Sequence, residues 1–141
     1  MIHAVIDTNV IVSAMMAKRS DSATVKVLNA VRDGRLKPVL TSGIVAEYQD
    51  VLMRAKFRFV HEDVRQTIDA IVSNALFLDP SPSGEAFSDE SDRVFYEVAL
   101  AGRGDDTHLV TGNLRHYPMS PIVVTPAQMV AILNERFPQQ P

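Results

Sequence analysis

The stretch Ile2-His3-Ala4-Val5-Ile6-Asp7-Thr8-Asn9-Val10 decides how the rest of the chain is read. Its first five residues are apolar apart from His3 and rich in β-branched side chains, the pattern of a short buried strand. The run stops at three polar residues, Asp7-Thr8-Asn9. From Val10 to Met16 the residues are apolar almost all round, which predicts a helix entering the core. A buried strand, a polar end and a helix are the opening of a βαβ unit.

The same alternation continues outward. Ser20-Asp21-Ser22 offers N-caps for a helix over residues 23–32, with Ala23, Val27, Ala30 and Val31 on one face and Gly34 as its stop. Residues 38–40 form a second short strand. Ile44, Tyr48, Val51, Leu52 and Ala55 then make the stripe of an amphipathic helix over residues 43–56. A further helix spans residues 62–74, and Leu76-Phe77-Leu78 is a third strand. The loop Asp79-Pro80-Ser81-Pro82-Ser83-Gly84 follows. Ser88 or Asp89 caps a helix that runs to about Ala101 and breaks at Gly102 and Gly104. His108-Leu109-Val110 and Ile122-Val123-Val124 are the fourth and fifth strands, and Pro126 opens a last helix. Strands alternating with helices predict a single three-layer α/β/α domain with a central parallel sheet of about five strands. Right-handed crossovers then place every strand's C-terminal end on one edge, outside which ligands bind.

The 141 residues make one domain, taken as residues 1–137 with 138–141 as a frayed tail, and there is no internal repeat. There is no cysteine, so thiolate zinc sites, iron–sulfur clusters, cysteine nucleophiles and disulfides are excluded. The N-terminus has no basic segment before its apolar run, and no stretch approaches 18 apolar residues. A cytoplasmic protein is expected. The net charge of −3 argues mildly against nucleic acid as a partner.

Three acids stand where solvation alone would not put them. Asp7 ends a buried strand, where an unpartnered charge is costly, although it also suits the N-cap of the next helix. Glu47 flanks the apolar stripe of its helix, where pairing with Arg54 would also account for it. Asp92 shares a helical face with Phe95 and Ala99, and its first-turn position is favoured by the helix dipole. Asp89-Glu90-Ser91-Asp92 places three acids in four residues, which repel unless a cation neutralises them. On a parallel sheet, Asp7, Glu47 and Asp92 can meet at one edge. Three carboxylates without cysteine, and without histidine at ligand spacing, form a hard oxygen site that selects Mg²⁺ or Mn²⁺ over Zn²⁺. Such an ion supports attack of water on a phosphodiester.

Four segments in order resemble the PIN domain, a superfamily of Mg²⁺/Mn²⁺-dependent ribonucleases, and in particular its prokaryotic branch of toxins in toxin–antitoxin pairs. They are Val5-Ile6-Asp7-Thr8-Asn9-Val10, Val45-Ala46-Glu47-Tyr48, the run from Ser88 to Ala99, and Leu109-Val110-Thr111-Gly112-Asn113. The resemblance covers about residues 2–125. It implies that Asp7 and Asp92 are the core metal ligands, and that Glu47 is a third acid that binds the metal or orients the attacking water. It makes Asn9 a helper of the site's hydrogen bonds, and has Thr111 and Asn113 complete the pocket. Asn113 departs from the family's usual aspartate, adds no charge, and leaves one-metal or two-metal catalysis open. The implied reaction is hydrolysis of RNA to a 5′-phosphate and a 3′-hydroxyl. A small antitoxin and a homodimer are the implied protein partners.

Candidate RNA contacts are Arg115 and Arg93 beside the site, and Arg54 and Lys56 in the interleaved Arg54-Ala55-Lys56-Phe57-Arg58-Phe59. That last segment also reads as cations at a helix C-terminus with two core phenylalanines. The competing functional reading is a catalytically dead binding module on the same fold, with Asn113 as the feature that favours it. An aspartyl phosphatase of the Asp-x-Asp type, a response-regulator receiver, and nucleotide-binding glycine motifs are not matched. The charge balance also changes on this reading. Setting Asp7, Glu47 and Asp92 aside as a metal cage leaves 14 acids against 14 bases. One bound divalent ion takes the chain to −1 and two take it to +1, so RNA binding is expected to depend on the metal.

Overall fold

The computed structural model describes residues 1–102, 104 and 106–138. Its elements in chain order are β1 (Ile2–Ile6), α1 (Thr8–Met16), α2 (Ala23–Arg32), β2 (Leu36–Leu40), α3 (Ser42–Leu52), α4 (His61–Ser73), β3 (Leu76–Phe77), α5 (Arg93–Gly102), β4 (Thr107–Val110), β5 (Val123–Val124) and α6 (Pro126–Arg136). Short 3₁₀ turns lie at Ala55–Phe57, Glu90–Asp92 and Leu114–His116. The five strands form one parallel sheet in the order β3-β2-β1-β4-β5. This is the predicted α/β class, with six α-helices among the described residues. The tail expected at 138–141 lies, from Gln139 on, outside the described residues.

The apolar strands do what their composition asks: Ile2, Ala4, Val5, Ile6, Leu36, Val39, Leu40, Leu109 and Val110 are all buried. Each fully buried aliphatic side chain contributes roughly 1.5–3 kcal/mol relative to exposure. On α3 the predicted stripe buries Ile44, Tyr48 and Leu52. The helix ends at Leu52, however, and does not reach Lys56. The chain leaves it through the Ala55–Phe57 turn and a left-handed Arg58 (φ 56°), and this lets Phe57 and Phe59 stack at 5.5 Å. No glycine or proline marks that break, so the apolar period alone overruns it. Pro126 opens α6 as predicted, and the structure adds a capping box in front of it: Thr125 accepts from the Gln128 amide and the Gln128 side chain accepts from the Thr125 amide.

The order of strands positions the site. The chain builds leftward from β1 to β2 and β3, then returns over the sheet through α5 to β4 on the other side of β1. The point where that direction reverses lies between β1 and β4, and parallel sheets bind ligands at the C-terminal ends of such a pair. Asp7 follows the last residue of β1, and Thr111 follows the last residue of β4. The close approach of α5 to β4 depends on Gly102, where a Cβ would come within 2.7 Å of the Thr107 hydroxyl oxygen.

Candidate active site

Asp7 occupies the N-cap position of α1, but its carboxylate makes no capping bond. The capping explanation for this acid is therefore excluded. Its Oδ2 instead accepts three donors: the Thr111 hydroxyl at 2.9 Å, the Tyr117 hydroxyl at 2.8 Å and the Asn9 amide at 3.3 Å. Asp7, Thr111 and Tyr117 are all buried. Asn9 in turn accepts from the Gly112 amide at 3.0 Å, and the Thr111 hydroxyl accepts from the Asn113 amide at 3.1 Å. All three donors fall on one oxygen, so the Asp7 carboxylate is held with its Oδ1 turned away from them.

Glu47 is set by its neighbour. Tyr48 is fully buried and its hydroxyl donates to the Ile6 carbonyl at 2.5 Å, which pins α3 to the end of β1. That places the half-buried Glu47 against the start of α1, where its Oε2 accepts from the Thr8 hydroxyl at 2.5 Å. Burial pushes the Glu47 carboxyl above its ordinary range, and the charges of Asp7 and Asp89 add to this against the pull of Thr8. Arg54, the partner that would have explained Glu47 as an ordinary boundary residue, pairs with Asp50 at 3.0 Å.

Asp92 ends the 3₁₀ turn that leads into α5, and it is 9% exposed. Its carboxyl is raised to about 6, first by burial and then by Asp7 and Asp89, with Glu47 adding and His116 opposing. Its Oδ2 is buried and has no hydrogen-bond partner. The nearest ionic neighbour is His116, whose Nδ1 lies 3.5 Å from that oxygen. The other ring nitrogen of His116, Nε2, is 2.8 Å from the Asn113 side-chain nitrogen. Asp89 caps the turn through the Ser91 amide, and the Ser91 hydroxyl also donates to it; these bonds hold its carboxyl below the usual range.

Asp7 thus raises both Glu47 and Asp92, and Glu47 raises Asp92, so the three acids lie within electrostatic reach at one strand edge. Among the described residues, no three His, Cys, Asp or Glu side chains converge closely enough to enclose an ion as they stand. The residues nonetheless fit a hard divalent cation. The acids bordering the space present only oxygen, Asp92 offers a buried oxygen with no protein partner, and Asp7 keeps one oxygen clear of its donors.

The candidate RNA contacts divide. Arg93 is tied to Glu90 at 2.7 Å and to Glu97 at 3.5 Å, and its guanidinium lies 5.0 Å from the centre of the Phe87 ring. Lys56 sits 5.0 Å from the Phe57 ring centre, and Arg54 pairs with Asp50. Arg115 is exposed on the turn that carries His116. Within the Arg54–Phe59 segment, Arg54 directly follows the C-cap of α3, Met53, and its amide donates to the Val51 carbonyl at 3.2 Å, so this cation does stand at a helix C-terminus, whereas Lys56 lies in the following 3₁₀ turn.

Sequence reading missed Thr8, Tyr117 and His116 as parts of the site. Thr8 lies inside the strand-end motif and was legible there. His116 ends a single 3₁₀ turn and Tyr117 is its cap, a stretch too short for any period to announce which way a side chain points. The loop before Asp89 also reaches the site: Phe87 packs on Tyr96 and edge-on to Tyr117, whose hydroxyl holds Asp7. Beside Thr8 and Asn9 opens a cleft of about 610 Å³ lined by Val12, Met16, Val51 and Phe57. Among the described residues, no helix is long and apolar enough to cross a membrane.

A family model described as PIN domain matches residues 3–115, a span that contains every acid discussed above. No curated protein matches the chain.

Proposed function

The chain belongs to the PIN-domain family, and on that premise we propose that it is a Mg²⁺- or Mn²⁺-dependent endoribonuclease. Members of the family are generally nucleases that use divalent metals. The observation that carries the reading is Asp92 Oδ2: a buried carboxylate oxygen without a hydrogen-bond partner, on an acid within electrostatic reach of Asp7 and Glu47. A protein that only bound RNA would gain nothing from three mutually repelling acids there, and would lose stability by burying one of them unpaired.

In this reading Asp7 and Asp92 hold the metal, with Glu47 as a third ligand or as the acceptor that orients the water. A divalent ion bound there supplies positive charge for the attacking water and for the phosphate. Asp7 is held with one oxygen presented, because Thr111, Tyr117 and Asn9 occupy the other. Glu47, raised by burial and hydrogen-bonded by Thr8, is poised to accept a proton at its carboxylate. Arg115, Arg93, Arg54 and Lys56 remain the proposed phosphate contacts, and Arg115 is the one nearest in sequence to Asn113. The products are a 5′-phosphate and a 3′-hydroxyl.

The biological role we assign is the toxin of a toxin–antitoxin pair acting in the cytoplasm as a homodimer. Support comes from the motif order of the opening strand, the glutamate helix and the acidic turn. The apolar cleft beside Thr8 and Asn9, with Met16 exposed at its edge, offers a protein partner a surface.

Incubation of the purified chain with single-stranded RNA, with Mg²⁺ or Mn²⁺ and with an EDTA control, tests the activity. Cleavage that needs the metal and disappears in Asp7→Asn is the expected result. RNA bound but left intact at millimolar Mn²⁺ would establish the binding-module reading instead.

A further inference from the structure

The cleft beside Thr8 and Asn9 shares those two residues with the acid site. The Thr8 hydroxyl donates to Glu47 and the Asn9 amide donates to Asp7, so whatever fills the cleft lies against the groups that hold two of the three acids. None of the residues that line it is charged. Val12, Met16, Val51 and Phe57 supply apolar wall, and Ser13 and Thr24 supply hydroxyls. Its volume of about 610 Å³ is in the range of pockets that take small organic molecules. Phe57 is half-buried and is backed by Phe59, with the two rings 5.5 Å apart and inclined by 10°. The Lys56 Nζ stands 5.0 Å from the centre of the Phe57 ring, which sets a positive charge beside it.

The charges around this wall suit a polyanion. Lys56 and Arg58 flank Phe57 in the chain, and Lys18 follows Ala17 of the lining; all three are exposed. None of them forms an ion pair among the described residues. The acids next to lining residues are engaged elsewhere: Asp21 pairs with Arg19 at 2.8 Å, Asp50 pairs with Arg54 at 3.0 Å, and Asp7 belongs to the proposed metal site. An apolar protein segment would use the wall and leave the cations unanswered. An unpaired nucleobase answers both, because its flat face packs on an aromatic ring, its edges take hydroxyls, and its phosphates stay outside. We propose, resting on the metal-nuclease reading above, that the cleft is a base subsite for single-stranded RNA, in which an unpaired nucleobase packs on Phe57 while Lys56 and Arg58 meet the backbone. Duplex RNA, whose bases are already paired and stacked, has no base to place there. The chain thereby selects single strands, and a protein partner that covers the cleft competes with RNA.

The chain has no tryptophan, so Phe57→Trp introduces a single reporter at the wall of the cleft. It is titrated with an unpaired RNA octamer and with the same octamer annealed to its complement, with Ca²⁺ in place of Mg²⁺ at the acids. Phe137→Trp is the control, since it follows Arg136, which pairs with Asp106 just before β4, at the sheet edge opposite the acids. The single strand is expected to quench Phe57→Trp and leave Phe137→Trp unchanged, and the duplex is expected to quench neither. Anisotropy of a dye-labelled octamer reads affinity. Phe57→Ala is expected to weaken single-strand binding by about 5-fold or more, the lower end for one base–aromatic contact, with duplex binding unchanged. Phe57→Tyr keeps the ring and is expected to bind as wild type does. Emission from Phe57→Trp that stays constant while the octamer binds overturns the proposal and leaves the cleft to a protein partner. Equal losses on single strand and duplex from a folded Phe57→Ala overturn it too. The nuclease reading fails separately: a chain that shows the quench and the single-strand preference but cuts no RNA in Mg²⁺ or Mn²⁺ loses the reaction and keeps the subsite.

Discussion

Asp7 and Asp92 are the same residue at nearly the same depth, 6% and 9% exposed, yet the fold holds them in opposite ways. Asp7 sits on the end of a central strand and collects three donors on one oxygen. Asp92 sits on a 3₁₀ turn before α5 and leaves a buried oxygen without a hydrogen-bond partner. The first arrangement stabilises a charge through hydrogen bonds; the second leaves a buried charge without them. The difference teaches where the fold holds its rigidity and where it leaves a charge uncompensated. One aspartate is a fixed post, and on the proposed function the other is the one a cation would relieve most.

The largest expected effect treats the two alike. Asp7→Asn and Asp92→Asn are each expected to cut RNA cleavage by about 10³-fold or more, the several kcal/mol that metal-assisted chemistry supplies. Circular dichroism is expected to show both folded. Near wild-type cleavage by either variant in Mg²⁺ would break the pairing of the two residues as ligands.

The next effect separates them. Tyr117→Phe removes a buried donor from a charged acceptor, and is expected to lower unfolding stability by about 1.5–3 kcal/mol in urea. His116→Ala removes a half-exposed ring that makes no hydrogen bond to Asp92, and is expected to stay within about 0.5 kcal/mol of wild type. Equal losses would show that Asp92 is supported as firmly as Asp7.

A third prediction uses pH. The Asp92 carboxyl is raised to about 6 in the folded chain, while the unfolded chain keeps its ordinary value. Between those values the folded state binds the extra proton, so stability falls as pH rises through that window. In metal-free protein Asp92→Asn is therefore expected to be more stable than wild type at pH 7, with the difference lost on acidifying below the usual carboxylate range. Added Mg²⁺ is expected to raise the melting temperature of wild type and not of Asp92→Asn. A metal-free wild type as stable at pH 7 as Asp92→Asn would contradict the unpaired state of this acid.

The smallest effect concerns the cations at the rim. Arg115→Ala is expected to weaken RNA binding and to reduce the slope of log K against log salt by about 1, the value for one lost phosphate contact. Arg93 is bound to Glu90, Glu97 and Phe87, so Arg93→Ala is expected to act on stability more than on that slope.

The alternation of apolar strands and amphipathic helices carried the α/β class, and five of the six helices stop within two residues of where caps and periods put them. α3 did not: it ends at Leu52 with Met53 as its cap, and the chain goes on into a 3₁₀ turn and a left-handed Arg58, with no glycine or proline to mark the change. The acids were legible for a related reason. Asp7, Glu47 and Asp92 each break an apolar pattern, and a charge out of place is visible in one dimension. Their support was not. Tyr117 reaches Asp7 across 110 residues and Thr8 reaches Glu47 across 39, so nothing local points from one to the other.

By itself, then, the order of residues determined a parallel α/β sheet and an edge lined with carboxylates, because burial periods and misplaced charges are local properties of the chain. Only the tertiary structure decided which acid is held and which is left wanting, and that Asn113 faces His116. Those outcomes depend on hydrogen-bond geometry between segments far apart in sequence, and a donor within 3 Å is a fact of packing that no spacing along the chain encodes.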